Sequence, residues 1–335
     1  MNSDPLISVV MPVYNCAPYI EEAIESILDQ TFYDFELIII DDASTDGTRN
    51  SIKKYTDPRI KIVHKTVNCG VSSATNDGFR LAKGKYIARM DGDDISVKDR
   101  FEKQVAILEN NPDIFVCSGW IQYIGLWDGV IKYKEKHSEI ITQLLVSCSI
   151  CMGSSMFRRK ELSGYFYNEN KSSGEDYDFW TRVAWLGKMY NIQEVLLLYR
   201  IHPQQASQVH KQQQQIDDIR IKLYLFKKLN YDTTLYTDGL ISKIFMMNQP
   251  ISMSEFTLFL QWIKAIALEN QKTLLYPQKE FEDVLDSIKK AFLFSLYFKD
   301  TALGITKNWR IRALFKLSVQ DALYVLRLKS REIIK

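Results

Sequence analysis

Apolar and polar positions alternate between two periods along the first 125 residues. The stretch LISVVMPVY (6–14) is β-rich, and FELIIIDDAS (35–44) carries a continuous apolar core, as a strand buried on both faces requires. Between them, Ile20, Ala23, Ile24, Ile27 and Leu28 of APYIEEAIESILDQTF (17–32) recur at helical spacing. DGTRNSIKKYT predicts a second helix with Asp46 as its cap, and RIKIVHK (59–65) a third strand. SSATNDGFRLAKG (72–84) predicts a helix ended by Gly84, and KYIARMD (85–91) a fourth strand. The order β-α-β-α-β-α-β predicts an α/β fold with a doubly wound, mostly parallel sheet and helices on both faces.

The pattern is mixed from about 126 to 205. Beyond 210 glycine and proline become rare, no strand is legible, and EFTLFLQWIKAIAL and VLDSIKKAFLFSLYF predict a helical subdomain. The expected organisation is therefore a catalytic domain at 1–208 and a helical region at 209–335.

Open sheets of this kind bind ligands outside the carboxyl ends of their strands. The polar clusters lie at those four ends: PVYN after the first, DDAS after the second, NCG after the third and DGDD after the fourth. In DGDD, Asp91 and Asp93 stand two apart and point the same way in extended or turn backbone. Their mutual repulsion calls for a cation between them, and a hard divalent ion with oxygen ligands suits that place.

Composition narrows the classes. Net charge is +2 over 335 residues, with 25% charged and 46% hydrophobic, so the total does not indicate a nucleic-acid binder. Five cysteines give no disulfide framework and fit a reducing compartment. The opening MNSDPLISVV lacks the basic segment and long apolar run of a secretory signal, and no stretch approaches the ~18 apolar residues of a membrane span. A cytoplasmic protein is expected, soluble or peripheral on the inner face of the membrane. Cys148 and Cys151 form a lone C-x-x-C without the second pair of a zinc tetrad, and no G-x-G-x-x-G follows the first strand.

Taken in order, SVVMPVYN, ILDQTFYDFELIIIDDASTDGT, NCGVSSATNDGF, AKGKYIARMDGDD, GEDYDFWTRV and YRIH resemble the family 2 inverting glycosyltransferases of GT-A fold, the bacterial surface-polysaccharide type, over residues 6–205. The resemblance implies a hexosyltransferase with a nucleotide-diphosphate sugar as donor. Pro12, Val13, Tyr14 and Asn15 would floor the nucleoside pocket, with Tyr14 stacked on the base. Asp42 would accept the N3–H of uracil, since its oxygens only accept, and Asp41 would cap the following turn. Asn68, Gly70 and Asn76 would belong to the donor loop, Gly70 letting the backbone pass close to the ligand. Many members carry an arginine where Thr75 stands, and Lys65 or Arg89 is the replacement cation. Asp93 would ligate Mn2+ or Mg2+, Asp91 would hold the ribose hydroxyls or complete the metal shell through water, Gly92 would line the nucleotide-sugar site, and Asp94 would cap or orient its neighbours. His202 would be a further metal ligand, neutral imidazole being suited to divalent ions, or would touch the diphosphate; a loop histidine held before Pro203 is its plainer role. Asp176 would be the catalytic base and Glu175 would position acceptor or donor sugar; favourable placement at a helix N-terminus is the plainer role for both acids.

The implied acceptor is a glycan or lipid-linked saccharide hydroxyl. Residues 307–335 hold eight Lys/Arg against Asp321 and Glu332. Trp309, Ala313, Leu317, the 322–323 pair and Leu326 share one face if the segment is a single helix. Such a helix would meet an anionic membrane surface, or pack on its own domain or a second subunit. A nucleotidyltransferase and a non-catalytic nucleotide-sugar-binding protein are the alternatives.

Overall fold

The computed structural model describes residues 4–171, 173–205, 211–298 and 305–333. Strands β1 (Ile7–Val13) and β2 (Phe35–Asp41) are buried at every position, the signature of a sheet covered on both faces. They pair in parallel from Ile7 opposite Phe35 to Val13 opposite Asp41. β3 (Ile60–His64) joins the outer side of β2, and β4 (Tyr86–Arg89) joins the other side of β1, both parallel.

The chain thus leaves β1 in one direction for β2 and in the other for β4. That divergence opens a crevice at the carboxyl ends of β1 and β4. PVYN and DGDD both lie there.

Beyond β4 the sheet becomes mixed. β8 (Met156–Arg158) runs antiparallel to both β4 and β6 (Ile114–Gly125). β6 pairs in parallel with β9 (Lys188–Ile201), and the short β5 (Ile95–Ser96) closes the edge antiparallel to β9. The hairpin strand β7 (Gly129–Ile131) pairs with β6, and the full order is β3-β2-β1-β4-β8-β6-β9-β5.

Helix α1 (Ile20–Leu28) buries Ile20, Ala23, Ile24 and Ile27, the face its spacing predicts; each of the three isoleucines contributes about 2 kcal/mol through burial. α2 (Thr48–Ile52) starts after Gly47, and Asp46 accepts the Thr48 N–H at 2.8 Å. α3 (Val71–Leu81) stops before the expected Gly84, because Ala82 already turns extended. Gly84 serves close packing instead: a Cβ there would stand 2.6 Å from the Ser8 nitrogen of β1. α4 (Arg100–Asn110), α5 (His137–Gln143), α6 (Arg159–Leu162) and α7 (Glu175–Val183) complete the covering layers.

The chain divides into two compact units, 1–218 and 219–335. The division falls within α8 (Lys211–Lys227); the expected 208/209 boundary lies outside the described residues. The second unit is helical: α9 (Asp238–Met246), α10 (Met253–Thr273), α11 (Gln278–Phe298), α12 (Lys307–Leu314) and α13 (Val319–Ile333). Its core is aromatic, with Phe259 4.4 Å from Phe292 and Trp262 5.0 Å from Phe226 between ring centres. A capping box of Ser252 and Glu255 starts α10.

The single basic helix expected at 307–335 is two helices. Ser318 accepts the Asp321 N–H and starts α13 afresh, so the predicted face is broken. Trp309 stacks edge-on against Phe256 at 5.5 Å and Ala313 is buried, so this part of the face packs within the unit. Phe315, Val319, Leu323 and Leu326 are exposed.

Candidate active site

The first two strand ends are tied to each other. Asn15, at a positive φ of 52°, donates its N–H to Ser44 and accepts the Thr45 N–H at 2.8 Å. Pro12 and Val13 are buried beneath, and Tyr14 stands exposed above them. Asp41 caps its own turn as expected, accepting the Ser44 N–H at 2.9 Å, and also pairs with Arg49 and His64. Burial pushes the Asp41 carboxyl up, but these bonds outweigh it and hold the group below its usual range.

Asp42 faces the third strand end. It accepts the Cys69 N–H at 3.1 Å and the Gly70 N–H at 2.7 Å, and Lys65 stands 3.2 Å away. Gly70, at φ 88°, is the residue from which α3 starts, and Asn68 beside it is exposed. A carboxylate offers about four acceptor positions, so these three protein donors leave room for one more.

The acidic tip follows β4. Gly92 is required where the tip crosses the end of β1, since a Cβ would meet Val13 Cγ1 at 2.6 Å. Asp91 pairs with the buried Arg89 at 2.8 Å. Asp93 stands 3.1 Å from His202 Nε2, and the other ring nitrogen of His202 is buried without a partner. Asp94 accepts the Arg200 N–H at 2.9 Å, and Arg200 also donates to the Asp93 carbonyl at 2.8 Å, so β9 holds the tip from behind. Burial, with the charges of Asp93 and Asp91, pushes the Asp94 carboxyl well above its usual range. Lys65 is engaged with Asp42 and Asp77, whereas Arg89 faces the tip itself.

Gly174, left-handed at φ 66°, turns the chain into α7. Asp178 pairs with Arg182 and Lys171, the plain role of an acid at a helix start. Asp176 is different. It accepts the Tyr167 O–H at 2.8 Å, and burial, then the neighbouring charge of Glu175, push its carboxyl up to about 7. Arg89 pulls it down and Asp91 pushes it up, so the acid of α7 lies within reach of the charges beside the β4 tip. Asn76 is fully buried, and its amide holds the main chain of Tyr167 and the Glu169 carboxylate.

Three residues were at most partly legible in the sequence. Arg89 was legible only as a cation near the tip, Arg200 only as part of YRIH, and Tyr167 carried no local signal, because its partners are 9 and 91 positions away. The lone C-x-x-C yields two free thiols; burial raises both, Cys151 to about 12.

Among the described residues no three His, Cys, Asp or Glu side chains are gathered as a ready-made metal site. The Asp93–His202 pair nevertheless suits a hard ion of the kind that takes one or two protein ligands and fills its shell from phosphate and water. The orphaned ring nitrogen belongs to that pair.

Residues 8–166 match glycosyl transferase family 2. An uncharacterised glycosyltransferase of Haemophilus influenzae is 31% identical over 271 residues, covering 74% of this chain and 83% of that protein. The putative glycosyltransferase EpsE of Bacillus subtilis is 38% identical over 60% of this chain and 74% of its own. The putative teichuronic acid biosynthesis glycosyltransferase TuaG of the same bacterium is 31% identical over 60% and 81%. Among solved structures, S. aureus TarS in complex with UDP-GlcNAc superimposes with a TM-score of 0.58 at 19% identity, covering 88% of this chain and 93% of that one. The chain is a glycosyltransferase and belongs to glycosyl transferase family 2, with the GT-A fold. Membership favours sugar transfer over the nucleotidyltransferase alternative.

Proposed function

We propose that the protein is a metal-dependent, inverting transferase that moves a sugar from a UDP-sugar to a hydroxyl of a surface glycan or its lipid-linked precursor. One observation carries this: the buried Arg89 pairs with Asp91 of the β4 tip at 2.8 Å and also feels the charge of Asp176 of α7, 85 positions beyond Asp91 in sequence. Asp42, with one acceptor position left, takes the uracil N3–H, and Tyr14 covers the base. TarS has this fold and was crystallised with UDP and with UDP-GlcNAc, and TuaG is named for teichuronic acid biosynthesis.

Asp93 and His202 would hold Mn2+ or Mg2+, with Asp91 in support. Bound there, the ion would neutralise charge on the departing nucleoside diphosphate. Asp176 takes the proton of the acceptor hydroxyl as that oxygen attacks the anomeric carbon and the bond to the diphosphate breaks. A carboxyl near 7 is suited to this work, since a general base acts best near the operating pH. Displacement from the face opposite the leaving group inverts the anomeric centre. Glu175 positions the sugar.

No helix among the described residues is long and apolar enough to cross a membrane. Contact with an anionic membrane surface falls to the exposed Phe315, Val319, Leu323 and Leu326, set among the cations of 307–329. The test is a screen of nucleotide sugars with manganese, followed by NMR of the product anomer. Consumption of a UDP-sugar with inversion is expected. Consumption of GDP- or dTDP-sugars alone, or retention, would refute the donor or the mechanism respectively.

A further inference from the structure

We propose that Tyr167 is a positioning residue for Asp176, and that Asn76 is the residue that presents it. This rests on the reading of Asp176 as the base. Tyr167 is buried, with 5% of its surface exposed, and its hydroxyl donates to Asp176 Oδ1 at 2.8 Å. Its ring stacks on Phe179 of the same helix, 4.5 Å between centres and 11° between planes. Phe79 of α3 lies against the pair, 6.2 Å from Tyr167 and 6.3 Å from Phe179. The phenol therefore cannot swing away without breaking a packed aromatic cluster.

The main chain is fixed as well. Asn76 Oδ1 accepts the Tyr167 N–H at 2.8 Å and Asn76 Nδ2 donates to the Tyr167 carbonyl at 3.0 Å. One fully buried amide thus holds both polar groups of the residue, as a strand partner would. The same Nδ2 donates to Glu169 at 2.8 Å, and Arg182 of α7 binds the Phe166 carbonyl at 2.9 Å. α3 starts at Gly70, whose N–H binds Asp42, so one helix runs from the nucleotide loop to the clamp on Tyr167.

A phenol bonded to one carboxylate oxygen fixes the plane of the group and leaves the other oxygen for the acceptor hydroxyl. It also favours the ionised form that a base needs. The groups facing Asp176 are Glu175 of its own helix, Arg89 and Asp91 from β4 and its tip, Tyr167, and Cys148 before β8. Of these, Arg89 and Tyr167 favour the ionised carboxylate.

Tyr167→Phe keeps the ring and deletes only the donor. Carboxyl 13C NMR of aspartate-labelled protein, with Asp176→Asn to assign the resonance, reads the titration without substrate. The Asp176 midpoint should move up by about one pH unit in Tyr167→Phe. With the donor found by the screen, the acid limb of kcat should follow it and kcat at pH 7 should fall about fivefold, as the ionised fraction drops from about one half to about one tenth. The Kd for UDP with manganese should stay within about twofold of its starting value. Asn76→Ser should move the midpoint and kcat in the same direction; should it not fold, Tyr167→Phe alone decides. An unchanged midpoint and kcat in Tyr167→Phe would overturn the proposal, as would a large loss of UDP binding with an unmoved acid limb. Normal transfer by Asp176→Asn would instead refute the base itself, an outcome visible in turnover whatever the titration shows.

Discussion

Asp93 and His202 meet at 3.1 Å across 109 residues of sequence. A carboxylate and an imidazole at that distance suit a shared cation, and Arg200 fixes the approach by bonding the Asp93 carbonyl. Asp93→Asn and His202→Ala should each weaken Mn2+ binding in the presence of UDP by at least about tenfold. Electron paramagnetic resonance of free manganese reads the loss directly. The melting temperature should change little, since both side chains lie at the crevice rather than in the core.

Asp176→Asn should lower transfer by about 10²–10⁴ while leaving UDP affinity intact. In the native enzyme, transfer should rise with pH and level off above about 7, where the carboxyl is ionised. The linkage to stability has a definite sign. Unfolded aspartate loses its proton near pH 4, whereas the folded group keeps it until about 7. Folded protein binds the extra proton over that window, so this group's contribution to stability falls as pH rises through it. Asn has no such cost, and Asp176→Asn should be more stable than the native chain at pH 8, by on the order of a few kcal/mol. Urea midpoints at pH 5 and pH 8 check both statements.

Arg100 supports the tip from below. It is fully buried, donating to the carbonyls of Arg89 at 2.8 Å and Ser155 at 3.3 Å and to Gln104 at 3.0 Å. Burial lowers its pKa to about 10, so it remains a cation at neutral pH. Arg100→Ala strands these acceptors and should destabilise the protein by about 3 kcal/mol. The urea midpoint should drop with an unchanged slope.

Gly92→Ala should fold and bind UDP with manganese about tenfold more weakly. The added methyl meets Val13 Cγ1 at 2.6 Å, so the tip must lift from the end of β1. Trimming the obstacle in Gly92→Ala/Val13→Ala should recover most of the affinity, measured by calorimetry.

The strand ends were legible because each parallel strand is a short apolar run that stops at a polar residue, and topology then gathers the stops. Asp41, Asp42, Asp91 and Asp93 could be placed that way. The mixed half of the sheet could not: β8 is three residues long, and its pairing with β4 and β6 depends on partners far away in sequence. Gly84 misled because glycine ends many helices, yet here it permits close passage against Ser8. Asn76 resembled a donor-loop residue by position in the motif, and only packing reveals that its amide grips Tyr167. The broken C-terminal helix turns on Ser318, a cap that a continuous periodic reading passes over.

The most direct measurement is a crystal structure of the protein with UDP and Mn2+. Manganese should bridge the diphosphate to Asp93 and His202, with the Asp176 carboxyl facing the space where the sugar would stand. Manganese and diphosphate bound away from Asp93, or an Asp176 carboxyl with no line of approach to that space, would contradict the account.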